Sequence, residues 1–544
     1  MRLRDWTEEW REMGRHWKED LLASVVVFLV ALPLCMGIAI ASGVPMDKAA
    51  SVGIITGIIG GIVVGTLSGC PLQVSGPAAG LAVFVGQLIQ DFGYQHLGLI
   101  VMLGGLLQIT AAIFHVGQWF RAVSPAVIEG MLAGIGLLIF ASQFHVMVDD
   151  KPPGTGREFG GIINLVTIPG AVWKGLAEPP HRPAALLGVV TIVAIIAWTS
   201  SRPQRLAFFP APLFGVLVTT TLAAVFSPAV QYIQVPDNLW SAVQLPLAAM
   251  REEQTHLLEG PSLIENIGPL LLAALGLAFI ASAESLLTAT AVDAMQQRTP
   301  RTKYDRELAA QGTGNLICGL LGVLPITGVI VRSSANVIAG AHTRLSTILH
   351  GIWLLVFAML LPNVLRMIPV SCLAAVLVYT GWRLMNPKTV RRLLEFGAGE
   401  VLVYGVTLCT VVVVDLLTGI VVGLAVAIGR LLHSLAWLDV RVEISADRRR
   451  AELHLAGTAT FIRVPKLAAA LEKVPENAEL HVHVDKLTYI DHACLDLLMN
   501  WEKQHKARGG HLHFDLDELH SRVVSRNQQN RISTPASQST EKSK

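Results

Sequence analysis

Two stretches of the chain place charged or oxygen-bearing side chains among apolar ones. In LPITGVIVRSSANVIAG (324–340), Arg332 has no acidic residue close by in sequence. In LAFIASAESLLTATAVD (277–293), Glu284 and Thr288 stand four apart, which on a helix puts a carboxylate and a hydroxyl on one face. A guanidinium in apolar surroundings costs several kcal/mol unless an anion, a carboxylate or water compensates it. Anion binding is one chemistry open to Arg332. Snorkelling to an interface, or an ion pair for which Glu284 is the best carboxylate, are the alternatives. The two oxygens of Glu284 and Thr288 suit a hard cation such as sodium, and a glutamate removed from water could instead carry a proton. Either would couple anion movement to a cation gradient; a structural Glu284–Arg332 pair would not.

The elements that must hold these residues are membrane helices. The 544 residues are 52% hydrophobic and 15% charged, with a mean hydropathy of +0.54, and a soluble chain of this length is rarely so apolar. Apolar blocks fall near 20–42, 49–68, 74–90, 97–116, 124–147, 184–201, 208–227, 267–292, 308–323, 326–340, 345–361, 366–381, 399–417 and 419–433. Several are shorter than the ~20 residues a full crossing needs, so the expectation is an α-helical polytopic membrane protein with 14 transmembrane segments, some of them half-helices. A net charge of +2, without basic runs interleaved with aromatics, excludes nucleic acid as a partner. The six cysteines form no CxxC pair and four lie in apolar blocks, which argues against disulfides, metal ligation or redox chemistry. No nucleophile–base pair or HExxH motif points to an enzyme.

The first twenty residues carry five Lys/Arg, six acids and tryptophans at 6, 10 and 17. Residues 1–19 therefore read as an amphipathic segment lying on lipid rather than a cleavable signal. Basic residues gather in alternate connections, at Arg121, at Arg202 and Arg205, over 298–306, at Arg344 and over 383–392. By the positive-inside rule both termini are cytoplasmic, in an inner (cell) membrane.

An internal repeat shows when the second apolar block is laid on the ninth: Gly60, Gly65 and Pro71 recur at one offset as Gly314, Gly319 and Pro325. Each set ends a glycine-lined helix and introduces a short segment, QVSGPAAG (73–80) or ITGVIVRSSAN (326–336). Seven spans separate the copies, and an odd number inverts the second, giving repeats of about 20–230 and 265–433 within a transporter domain of 20–433. Paired interrupted helices mark a transporter's midplane site; plain proline kinks at Pro71 and Pro325 are the alternative. The half-helices' free N–H groups and positive dipole ends would face one cavity. Val74, Ser75, Gly76, Thr327 and Gly328 would line it, with Arg332 about two turns into the second helix. Glu129 and Asp415 lie near helix ends and read as interfacial.

After residue 433, RVEIS, AELHLAG, ELHVHVD and HLHFDLD alternate like strands, while PKLAAALEKV and HACLDLLMNWEKQHKARGG read as amphipathic helices. This is a compact α/β domain over 438–522, followed by a polar tail, 527–544, expected to be disordered. His481 with His483, and His511 with His513, share strand faces. A zinc site normally adds an acidic or cysteine ligand, so a solvent-facing polar surface is expected, with pH sensing behind it.

QVSGPAAG (73–80), AESLLTATAVDAM (283–295), ELAAQGTGN (307–315) and LPITGVIVRSSAN (324–336), in that order and followed by a STAS-like domain, resemble the SulP family of anion transporters (the sulfate permease and prestin-pendrin family). The resemblance extends to about residue 520. It implies a 7+7 inverted repeat with UraA-like core and gate domains, an elevator motion of core against gate, and an anion site between the third and tenth helices that includes Arg332. Glu284 and Thr288 match positions that bind sodium in the family's cyanobacterial bicarbonate carriers. Leu34 and Ile38 stand on the first helix where related members carry a glutamine and an aromatic, and Ala78 stands where an aromatic follows Gly-Pro, which implies a roomier site. At the loop that some STAS relatives phosphorylate, this chain has His492, Ala493 and Cys494, so serine phosphorylation there is not expected. The function expected is secondary-active transport of an inorganic anion, bicarbonate or sulfate. A C4-dicarboxylate carrier, a passive channel and a membrane sensor are the alternatives. No cofactor is expected beyond a coupling Na+ or H+. The expected partners are the anion, membrane lipid, a second copy in a homodimer and a cytoplasmic protein docking on the STAS domain.

Overall fold

The computed structural model describes residues 11–118, 124–154, 159–201, 209–235, 243, 245, 267–435, 437–446 and 448–513. Residues 1–10 of the expected interfacial segment, the basic positions Arg121, Arg202 and Arg205, and the tail 527–544 lie outside them. The chain divides into two units, Met1–Val426 and Ala427–Lys544.

In the first unit the apolar blocks fold as α1 (Trp17–Ala41), α2 (Met46–Leu67), β1 (Ser75–Gly76), α3 (Ala79–Phe92), α4 (Tyr94–Ile113), α5 (Pro125–Met147), α6 (Arg182–Ser201), α7 (Ala211–Phe226), α8 (Ile267–Met295) and α9 (Tyr304–Leu320). They continue as β2 (Thr327–Gly328), α10 (Ile330–Ile338), α11 (Leu345–Leu360), α12 (Val370–Leu384), α13 (Ala398–Val413) and α14 (Leu416–Leu435), whose residues from Ala427 on belong to the second unit. Among the described residues, α1, α2, α4, α5, α6, α8 and α14 are long and apolar enough to cross a membrane, while α3, α7, α11 and α13 are shorter apolar helices. Leu186, Val189, Val193 and Ile196 recur along α6 at helical spacing and are exposed. An outward apolar stripe of this kind suits lipid and not water.

Local chemistry sets several boundaries. Ser124 caps α5, its hydroxyl accepting from the Ala126 N–H, with Pro125 in the first helical position. Gly93, at φ 81°, makes the break between α3 and α4. Within α2 the residues Gly60–Val64 widen into a π-turn, a distortion that tends to occur at functional sites. A Cβ on Gly60 would lie 2.4 Å from the Ser75 carbonyl oxygen, so β1 can press on α2 only because that position is glycine.

Packing sorts the helices into two groups. α4 packs on α8 and α9, and α1 packs on α2, α10 and α11; in the other group α5 packs on α12 and α13, and α6 on α7 and α12. α1 also packs against α12. This is the partition expected for core and gate domains.

The second unit holds β3 (Leu438–Ile444), β4 (Arg450–Ala459), α15 (Val464–Leu471), β5 (Glu479–Ile490), α16 (His492–Ala507) and β6 (His511–His513). Its sheet runs β3-β4-β5-β6, antiparallel at the first pair and parallel at the others. Leu453, Leu455, Leu480 and Val482 face a core completed by Leu467, Leu471, Leu495 and Leu498 from the helices. The four expected strands and both helices are present, the last strand being described only to His513.

Candidate functional site

The two interrupted segments meet through four residues. β1 and β2 pair antiparallel, Ser75 with Gly328 and Gly76 with Thr327, so the segments run in opposite directions where they touch. The Val329 N–H donates to the Val74 carbonyl at 2.9 Å, extending the ladder. α3 then starts at Ala79 and α10 at Ile330, each leaving first-turn N–H groups without helical partners. The sequence suggested a helix from 326 with Arg332 two turns inside; instead 326–329 is extended and Arg332 is in the first turn of α10. The pairing with β1 takes those residues out of the helix.

Arg332 is fully buried. Its Nη2 donates to the Pro77 carbonyl at 3.2 Å, while Nε and Nη1 are shielded from solvent without a hydrogen-bond partner. Among the described residues no carboxylate lies within ion-pair distance, so the ion pair with Glu284 is not formed. Gly76 faces the guanidinium so closely that a Cβ there would lie 2.4 Å from Nη1. Cys35 of α1 lies against it on another side. The guanidinium thus lies against β1 and α1 with two of its donors buried and unpaired.

Glu284 lies on the other flank of the seam. A Cβ on Gly80, in the first turn of α3, would be 2.5 Å from its Oε1, and the Thr327 hydroxyl lies beside the carboxyl group. Oε2 is shielded and makes no hydrogen bond. Thr288 donates to the Gly328 carbonyl at 3.0 Å, and the Gly328 N–H donates to Ser285 Oγ at 3.1 Å, so α8 grips β2 from both polar groups of one residue. Carboxylate, hydroxyl and carbonyl oxygens therefore gather where a hard cation could be held.

Not every backbone amide that sequence placed at the site is free for an anion. The Val74 N–H donates to Ser333 Oγ at 2.9 Å, and that of Gly328 is engaged by Ser285. Ser75 instead presents its hydroxyl, which accepts from Gln311 Nε2 at 2.7 Å. Leu34 and Ile38 are buried in α1, but the α1 side chain against Arg332 is Cys35, between them in sequence. Ala78 is buried at the N-cap of α3.

Sequence reasoning missed the support beneath the seam. Glu307, Gln311 and Asn315 recur every fourth residue on α9, all buried. Glu307 accepts from Ser68 Oγ (2.5 Å), the Gly69 and Cys70 N–H groups (2.9 and 3.1 Å), Gln73 Nε2 (3.0 Å) and Gln311 Nε2 (2.8 Å). Five donors satisfy a carboxylate that has no cationic partner in this set, and they fix the turn leading into β1. Asn315 holds the other segment, accepting from the Ile326 N–H at 2.7 Å and donating to its carbonyl at 3.0 Å. The fourfold spacing of polar residues inside ELAAQGTGN was the available signal.

Elsewhere, Glu129 pairs with Arg392, and Asp415 caps the start of α14 through the Thr418 N–H at 2.8 Å and hydroxyl at 2.6 Å. In the second unit Asp491 caps α16 by accepting from the Cys494 N–H at 2.9 Å. Burial, with the Asp491 carboxylate beside it, pushes the Cys494 thiol up to about 12. That shift disfavours the nucleophilic thiolate.

Residues 17–407 match the family described as the Sulfate permease family, and residues 442–518 match the one described as Mlab, STAS domain. "Putative sulfate transporter YvdB" of Bacillus subtilis is 27% identical over 419 residues, 75% of this chain and 72% of that protein. The "Bicarbonate transporter BicA" of Picosynechococcus sp. is 25% identical over 427 residues, 76% of this chain and 70% of that protein. Among solved structures, the transmembrane domain of a cyanobacterium bicarbonate transporter BicA superposes with a TM-score of 0.58 at 21% identity, covering 76% of this chain and 98% of that one. The inward-facing murine Solute Carrier 26 family member A9 superposes with 0.68 at 14% identity, covering 95% and 87%. These likenesses show a shared fold.

Proposed function

The chain belongs to the sulfate permease family, whose members are transporters rather than enzymes, and from that premise we propose that it is a secondary-active carrier of bicarbonate or sulfate. Relatives named for each anion match at similar identity. The observation that carries the reading is Arg332: fully buried, without a carboxylate, and with two guanidinium nitrogens unpaired at the junction of two half-helices. A charge so placed is costly alone and favourable once an anion accepts its hydrogen bonds. The first-turn amides of α3 and α10 add partial positive charge.

Coupling to sodium or protons runs through Glu284, supported by its unpartnered Oε2 and the Thr288 and Gly328 oxygens beside it. The core group carries the seam past the gate group in an elevator stroke, a motion supported by the two-group packing. Basic residues at Arg298, Arg301, Lys303 and Arg344 line a cavity of about 350 Å³. They support a cytoplasmic placement of that end, with both termini on the same side, and would draw anions toward the membrane. The carrier works as a homodimer in the cell membrane, and its STAS domain docks a cytoplasmic partner.

The test is uptake of labelled bicarbonate and sulfate into proteoliposomes. Arg332→Ala is expected to lower apparent affinity by about 10- to 100-fold, the worth of one or two charge-assisted hydrogen bonds, while the purified variant elutes as the parent does. Unchanged uptake kinetics would remove Arg332 from the site.

A further inference from the structure

The sheet of the second unit covers one face with its helices and turns the other outward. On the outward face, among the described residues, the tripeptide Glu-Leu-His occurs twice, at 452–454 on β4 and at 479–481 on β5. Strand alternation puts each Glu and His on one side, with Leu453 and Leu480 in the core. The parallel register then sets a second histidine beside each first one, His483 opposite His454 and His513 opposite His481. Both pairs stack, with ring centroids 4.5 and 4.7 Å apart and planes 10° and 6° from parallel.

The carboxylates complete two matching clusters. Glu452 Oε2 lies 3.4 Å from His454 Nε2 and 3.7 Å from His483 Nε2, and Glu479 Oε1 lies 3.7 Å from His513 Nε2. In each cluster one ligand atom from every residue falls within 4.8 Å of the others. These separations exceed the ~3.2 Å of an ordinary hydrogen bond. They are close to the edge of a tetrahedron around zinc, about 3.4 Å for bonds of about 2.1 Å. His483 Nε2 is shielded from solvent and makes no hydrogen bond.

We propose that this face binds two divalent transition-metal ions of the zinc class, one through Glu452, His454 and His483 and one through Glu479, His481 and His513. Imidazole and carboxylate donors suit that class. Three protein ligands leave a fourth position for water or a group from another molecule. Glu479 Oε2 lies 3.5 Å from Arg450 Nε, which orients the carboxylate from behind, and Glu443, in register with Glu452 across β3, adds negative charge to the first site. Neither set lies wholly on one strand, so only the register between strands assembles them.

The full chain, purified in detergent without a histidine tag, is dialysed against micromolar zinc and its metal content measured, with cobalt substitution read by visible absorption. Expected are two zinc ions per chain, about one in His483→Asn, and none in His483→Asn combined with His513→Asn. Glu452→Gln is expected to weaken the first site about tenfold. The mutated side chains are on the exposed face, so thermal unfolding of the apo variants should match the parent. Zinc content equal in parent and double variant, or no zinc bound by the parent, overturns the proposal.

Discussion

Arg332 and Glu284, of opposite charge type, stand on opposite flanks of one two-residue ladder and do not pair, a separation that on the proposed reading lets each serve a different ion. Glu284→Gln is expected to keep Arg332-dependent anion binding while uptake loses its dependence on an imposed sodium or proton gradient. Full retention of that dependence would mean the carboxylate plays no part in coupling. Gly80 offers a second handle. Alanine there favours the helix by up to ~1 kcal/mol, but its Cβ would lie 2.5 Å from Glu284 Oε1 and must displace it. Gly80→Ala is therefore expected to keep or raise thermal stability and weaken cation dependence, a combination that separates displacement of the carboxylate from general damage.

At the scale of elements, the apolar blocks were legible because hydropathy follows directly from what lipid tolerates. The broken segments were legible from repeated Gly and Pro, but not their geometry: β1 and β2 pair across about 250 residues, and no local signal announces a ladder that long-range contact imposes. Hence the sequence pattern predicts helix at 326–329, where the chain is extended, and sets Arg332 a turn deeper than it lies. Glu307 escaped notice because it sits at the edge of its block, where a charge is unremarkable; its five donors appear only when the turn at 68–73 folds onto α9. Glu307→Ala strands those donors and is expected to cost about 2–4 kcal/mol, read as a clear fall in thermal unfolding temperature in detergent. Glu307→Gln should recover part of the loss.

Across the whole molecule, the seam joins segments from the two halves of the chain. When Glu284 is ionised its charge cancels that of Arg332, so on the proposed reading an electric field acts only on what is loaded. With one cation per anion, bicarbonate leaves the loaded seam neutral and sulfate leaves one negative charge, worth ~2.3 kcal/mol per 100 mV of membrane potential. Bicarbonate turnover should then generate no current in solid-supported membrane recordings, and sulfate turnover should generate one carrying negative charge inward. Whether a current appears at all would thus report the charge of the anion being carried.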